Sequence, residues 1–85
     1  MARPPKFRPE AFRGLSCAAK LAWYYLRDHG GEPLSVQDLA RGLGVTPATA
    51  HRALHALLER GLVEELEPPR GSRPGRYRVR PLRGQ

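Results

Sequence analysis

Residues 34–66 read LSVQDLARGLGVTPATAHRALHALLERGLVEEL and contain two helix starts on either side of a glycine. At the first start, Ser35 is an N-cap whose hydroxyl accepts from the free amides of the first turn, and Asp38 stands where a capping box has its acidic residue. The helix that follows is short, because Gly44 tolerates the positive φ of a sharp turn. A second helix is predicted directly after that turn.

The second start is the pair Thr46-Pro47. Threonine is the N-cap, and proline suits the first helical position, where its missing N–H group leaves no hydrogen bond unmade. Gly61 is the glycine that follows the end of this helix. Apolar residues recur between these limits at the spacing of a helix with one buried face: Ala50, Ala53, Leu54, Leu57 and Leu58.

An earlier helix is predicted from residue 17 to about residue 29. Ser16 is its N-cap, and Gly30 ends it. The residues at helical spacing that predict its core face are Leu15, Ala18, Leu21, Ala22, Tyr25 and Leu26.

The end of the chain is predicted to form a two-stranded hairpin. Residues 62–67 (LVEELE) read as a strand, residues 68–75 (PPRGSRPG) form turns throughout, and residues 76–80 (RYRVR) alternate strictly. Tyr77 and Val79 then share one face, so the hairpin has a basic tip and a basic outer face. The fold class is mainly α with a small β-hairpin (α+β), in the order helix, helix, helix, strand, strand.

Two helices joined by the turn Leu43-Gly44-Val45 make a helix-turn-helix, and the hairpin that follows makes it a winged one. Residues 34–66 resemble the winged helix-turn-helix of bacterial regulators of the GntR and MarR types. Residues 15–30 resemble the first helix of related domains in plasmid and phage replication or regulatory proteins. The resemblance covers about residues 15–80. It implies a bacterial, cytoplasmic DNA-binding protein that regulates transcription.

Charge is concentrated at the two ends of the chain. The formal net charge is +7 over 85 residues, and residues 70–85 carry six arginines and no acid. Clustered positive charge is typical of proteins that bind polyanions. We divide the chain into a flexible basic arm at 1–14, a winged helix-turn-helix domain at 15–81 and a tail at 82–85, with Phe7 and Phe12 as residues that could pin parts of the arm to the domain.

The third helix is predicted to enter the major groove of duplex DNA. Arg52 is placed for a bidentate contact to guanine, and Thr49 for a phosphate or a thymine methyl group. Solvent exposure of Arg52 and a purely local hydrogen bond of Thr49 are the alternatives. The predicted DNA-binding residues are Pro47, Ala48, Thr49, His51, Arg52 and His55 on this helix, and Arg70, Arg73, Arg76 and Arg78 on the wing. We expect removal of residues 70–80 to abolish duplex binding.

Other functional classes find little support in the sequence. His51 and His55 have the spacing of metal ligands, but no third ligand accompanies them, so no metal and no cofactor is predicted. We find no catalytic set of residues, so the chain is not expected to be an enzyme. No apolar run reaches the length of a membrane span.

A second class of function stays open. Winged helices also serve as protein-binding modules, here for a polymerase or another replication protein. Trp23 and Tyr24 are predicted either at the edge of the core or on a partner surface, since aromatic residues are enriched at interfaces. A homodimer through the first helix or the N-terminal arm is the related possibility.

Overall fold

The computed structural model describes residues 8–30 and 32–80. Its helices are α1 (Cys17–Asp28), α2 (Val36–Leu43) and α3 (Pro47–Glu59), and its strands are β1 (Val63–Glu67) and β2 (Arg76–Val79). The predicted order of helix, helix, helix, strand, strand is therefore confirmed. In the described part of the chain, every helix is too short or too polar to cross a bilayer.

Each helix begins at the residue that the sequence assigned as its N-cap. The side chains of Ser16, Ser35 and Thr46 accept hydrogen bonds of 3.2, 3.1 and 3.2 Å from the N–H groups three residues further on. The capping box of α2 is complete, because the Ser35 N–H also donates to Asp38 Oδ2 at 3.1 Å. This bond to the carboxylate lowers the pKa of Asp38 below its ordinary value. Gly44 follows α2 at φ 70°, which turns the chain toward α3.

The core lies where α1 crosses α3 and α2. Ala50, Ala53, Leu54 and Leu57 of α3 are buried as predicted, and Leu58 packs partly buried beside them. α1 is turned slightly from the predicted orientation, since Leu21 faces outward, while the other five predicted core-face residues are buried or partly buried. Its buried residues are Ala19, Ala22, Trp23 and Leu26.

The turned helix exchanges the expected places of two large side chains. Leu21, predicted in the core, has 59% of its surface exposed, whereas Trp23 has 2%. The Trp23 ring contacts the edge of Phe12, with ring centroids 5.0 Å apart at 74°. An indole removes more apolar surface from water than a leucine side chain does, which favours this orientation of the helix.

Part of the predicted N-terminal arm belongs to the domain. Pro9–Phe12 form one 3-10 turn, and Phe12 is buried. The guanidinium of Arg60 donates from Nη1 to the Ala11 carbonyl at 3.0 Å and from Nη2 to the Arg13 carbonyl at 2.7 Å. The boundary predicted at residue 14 is therefore wrong for residues 8–14, and residues 1–7 of the arm and residues 81–85 lie outside the described residues.

The hairpin is antiparallel and is joined to the rest of the domain by a pair that the sequence did not reveal. Val63 opposes Val79, Glu64 opposes Arg78, and the register shifts between Glu65 and Glu67. Leu34, ahead of α2, exchanges two backbone hydrogen bonds of 2.8 Å with Tyr77 of β2.

The pairing of Leu34 with Tyr77 changes how the deletion of residues 70–80 has to be interpreted. Tyr77 and Val79 are buried, and burial raises the pKa of the Tyr77 hydroxyl. Deleting residues 70–80 would remove these core side chains and the pairing with Leu34 together. Loss of binding in that variant would report unfolding, so a test of the wing has to be confined to its tip.

Candidate nucleic-acid interface

The outer side of α3 carries the residues that the sequence placed there. Pro47, Ala48, His51, Arg52 and His55 are exposed, and Thr49 is half-buried. They point away from the core because the opposite side of the helix is buried at Ala50, Ala53, Leu54 and Leu57. The structure thus leaves a helix surface of the width that fits a major groove. That these side chains contact DNA stays a prediction.

The N-terminal turn of α3 is held by a threonine pair. Thr46 Oγ1 accepts from the Thr49 N–H at 3.2 Å and donates to Thr49 Oγ1 at 3.0 Å. Thr49 therefore makes the local bond that was one of its two predicted roles. With Thr46 as the donor in their bond, the Thr49 hydroxyl hydrogen is available for another acceptor. Pro47 and Ala48 beside it are small, so a phosphate can approach the positive end of the helix dipole.

His51 and His55 form a stacked pair on this surface. Their ring centroids are 4.6 Å apart, and the rings are tilted by 39°. Within the described residues, no group of three or more His, Cys, Asp or Glu side chains is arranged to hold a metal ion. The pair therefore offers imidazole nitrogen atoms as hydrogen-bonding groups toward a base or a phosphate.

The tip of the wing brings two predicted arginines together. The Arg70 N–H donates to the Arg73 carbonyl at 3.0 Å, and the Arg73 N–H donates to the Arg70 carbonyl at 2.7 Å. The turn between them includes Gly71 at φ 52°. Both arginines are exposed. A tight turn with an arginine on each side presents two guanidinium groups to one stretch of phosphates.

The outer face of the hairpin is less basic than the alternating sequence predicted. Arg78 Nε donates to Glu64 Oε2 at 2.7 Å, and the two side chains are 35% and 26% exposed. Arg76 opposes Glu67 in the register, and its positive charge also helps to lower the pKa of Asp38, after the larger effect of the Ser35 N–H. Each of these arginines thus has a carboxylate nearby. The predicted basic outer face is therefore neutralised at Arg78, where β1 supplies Glu64, while Arg76 and Arg80 stay exposed.

Arg41 on α2 is a candidate phosphate-binding residue that the sequence analysis missed. Its side chain is 78% exposed and contacts Asp38 weakly, at 3.5 Å between Nη2 and Oδ1. In helix-turn-helix proteins the first of the two helices crosses the DNA backbone, so Arg41 is suited to a phosphate. The sequence could have indicated Arg41 by its position on the side of α2 away from the buried Leu39 and Ala40.

The predicted partner surface at Trp23 and Tyr24 is wrong for Trp23, which is buried. Tyr24 is 37% exposed, and with Leu21 and Cys17 it lies on the outer side of α1. Arg27 covers both rings, with its guanidinium carbon 5.8 Å from the Trp23 centroid and 6.0 Å from that of Tyr24. The large apolar side chains exposed on α1 are therefore Leu21 and Tyr24.

Comparison by sequence finds one domain family. Residues 26–67 match the family model of the IclR helix-turn-helix domain. The matched segment contains the end of α1, the whole of α2 and α3, and β1. The sequence matches none of the curated proteins with which it was compared.

Comparison by structure finds proteins of the same fold. MepR of S. aureus in its complex with DNA is 18% identical, with 84% of this chain and 59% of MepR covered and a TM-score of 0.68. The adhesin competence repressor AdcR of Streptococcus pyogenes is 15% identical, with 85% and 52% covered and a TM-score of 0.65. This chain spans just over half the length of these two proteins.

A third structure is matched over nearly its whole length. This structure is described as one of the DNA recognition and protein interaction domains of HOP2. It is 25% identical to this chain, with 74% of this chain and 98% of the HOP2 chain covered and a TM-score of 0.63.

Proposed function

Because this chain is a winged helix-turn-helix domain, we propose that it binds double-stranded DNA sequence-specifically and acts as a transcriptional regulator. The observation that carries the proposal is the exposed outer side of α3, held by the Thr46 cap and accompanied by the arginine tip of the wing. The family match of residues 26–67 and the DNA complex of MepR support it. Such contacts require neither a cofactor nor a catalytic group, and a regulator of this kind in a bacterial cell works in the cytoplasm.

In this proposal each element has one task. The N-terminal half of α3 lies in the major groove, where Arg52 reads a base edge and Thr49 donates to a phosphate. Arg41 on α2 binds the backbone beside the groove. Arg70 and Arg73 at the wing tip follow the next phosphates or enter the minor groove. Base recognition thus belongs to α3, and most of the salt-dependent affinity belongs to the arginines.

Titration of a duplex of random sequence at several salt concentrations tests the proposal. Each phosphate neutralised by an arginine contributes about −0.9 to the slope of log K against log salt concentration. We expect a steep slope for the natural protein. Binding that is absent, or that is indifferent to salt, would contradict the proposed function.

The wing tip has its own test in the double variant R70A/R73A. Removing two phosphate contacts is expected to reduce the slope by about 1.8 and to weaken all duplexes alike. Both side chains are exposed, so the fold is expected to stay intact, unlike that of a chain lacking residues 70–80. R80A, which removes an exposed arginine outside the tip turn, is the control. Full affinity in R70A/R73A would show that the tip does not contact DNA.

A protein-binding role for the outer side of α1 is the second candidate, favoured by the exposure of Leu21. We propose that a second copy of the chain binds there, since a duplex with two half-sites would then hold two proteins in register. We expect Leu21→Glu to abolish two-copy assembly on such a duplex while one copy still binds, measured by sedimentation velocity. Unchanged assembly in this variant would exclude the α1 surface.

A further inference from the structure

The ion pair of Glu64 and Arg78 is shorter and better shielded from solvent than the ion pair of Asp38 and Arg41. The two residues are direct partners across the antiparallel ribbon, and Arg78 Nε lies 2.7 Å from Glu64 Oε2. The other ion pair within residues 8–30 and 32–80, between Asp38 and Arg41, is longer, at 3.5 Å, and more exposed, at 39% and 78%. Glu64 and Arg78 are both mostly shielded, at 26% and 35%.

The solvent exposure of an ion pair determines how readily its arginine moves from the carboxylate to a DNA phosphate. Solvent screens exposed pairs, so that an arginine on the surface moves readily from a carboxylate to a phosphate. A half-buried pair keeps more of its attraction, and separating it leaves a carboxylate without its cation. The pair presents no net charge to an approaching duplex. Arg78 therefore neutralises no phosphate and releases no counterions from the DNA.

We propose that Glu64 withholds Arg78 from DNA, so that the duplex meets the wing at Arg70 and Arg73 and not at the middle of β2. Glu64 is thereby a positioning residue that limits the sequence-independent part of the affinity. This inference rests on the proposed function, because it concerns the same DNA interface. Glu64 then has a definite role, since it neutralises the arginine that could have extended the basic surface along β2.

The test is the single substitution Glu64→Gln. Glutamine keeps an oxygen that can accept from Arg78 Nε, so the ribbon is preserved while the negative charge is lost. The freed positive charge of Arg78 is expected to add one phosphate contact, which steepens the salt slope by about 0.9. The ratio of E64Q affinity to natural affinity then falls about 3.5-fold between 50 and 200 mM salt. Because the added contact is to the backbone, random and selected duplexes gain by the same factor.

Two further variants separate this effect from a general change of charge. Glu65→Gln removes the same charge from the next residue of β1, whose partner across the ribbon is Tyr77, and it is expected to change the slope by less than half as much. The double variant E64Q/R78A is expected to return to the natural slope. Equal gains in E64Q and E65Q, or a gain that persists without Arg78, would overturn the role of Glu64.

Failure of the proposed function gives a different result. In that case the natural protein itself shows no salt-dependent binding to duplex DNA. If instead the natural protein binds and E64Q leaves its slope unchanged, DNA binding stands and the inference about Glu64 is wrong.

Discussion

Arg52→Ala is expected to weaken binding to a duplex selected from a random pool by about 5- to 150-fold while leaving binding to random duplexes nearly unchanged. This range corresponds to the 1–3 kcal/mol of discrimination that a bidentate arginine–guanine contact provides. Arg52 is exposed near the N-terminal end of α3, the part of a recognition helix that reaches base edges. Its neighbours Ala48 and Thr49 are small, so the backbone of the helix can lie deep in the groove.

Arg41→Ala is the matched control, since it removes the same side chain from an exposed position on α2. This variant is expected to weaken selected and random duplexes by the same factor and to reduce the salt slope by about 0.9. Titrations of both variants with both duplexes measure the difference. Equal losses on the two duplexes in Arg52→Ala would contradict base reading and assign Arg52 to a phosphate.

Trp23→Ala is expected to lower the free energy of unfolding by about 3–5 kcal/mol, the usual cost of truncating a buried large aromatic residue. The indole is 2% exposed and packs edge-on against Phe12. At about 0.05–0.15 kcal/mol per residue, a domain of 85 residues has only about 4–13 kcal/mol in total. The variant is therefore expected to lose a large share of the stability of the domain.

Urea unfolding followed by circular dichroism measures this loss, since the substitution removes the single tryptophan of the chain and with it the intrinsic fluorescence signal. Leu21→Ala, two residues away on α1, is the control and is expected to change stability by no more than about 0.5 kcal/mol. The opposite ranking would show that α1 is oriented as its apolar pattern first suggested, with Leu21 inward.

The orientation of α1 shows where a pattern along the sequence stops being informative. The helical spacing placed Leu21 inward and Trp23 beside the apolar face, whereas the structure exposes Leu21 and buries Trp23. Phe12 decides this orientation, because its ring lies against Trp23 in the folded chain. A contact between residues on different secondary-structure elements does not appear in the apolar periodicity of either element.

The sequence pattern of the wing likewise did not reveal which of its charges are paired. The alternation of residues 76–80 predicted the inward side of β2 correctly, since Tyr77 and Val79 are buried. It did not predict what faces Arg78, because a strand's partner depends on the register of the ribbon. Once the register opposes Glu64 to Arg78, a strand that reads as strongly basic carries a neutralised pair. Within the part of the chain that the structure describes, neither of the two arginines at the tip is in an ion pair.

The sequence by itself determined the three helices, their caps, the glycine turn and the outer side of α3. These features depend on bonds between residues three or four apart, such as Ser35 with Asp38, and on a period set by the helix itself. Only the tertiary structure decided the rotation of α1, the pairing of Leu34 with Tyr77, the anchoring of Ala11 and Arg13 by Arg60, and the arginines left available to a phosphate. Those contacts join residues far apart in the chain, and they form only when packing brings the elements together.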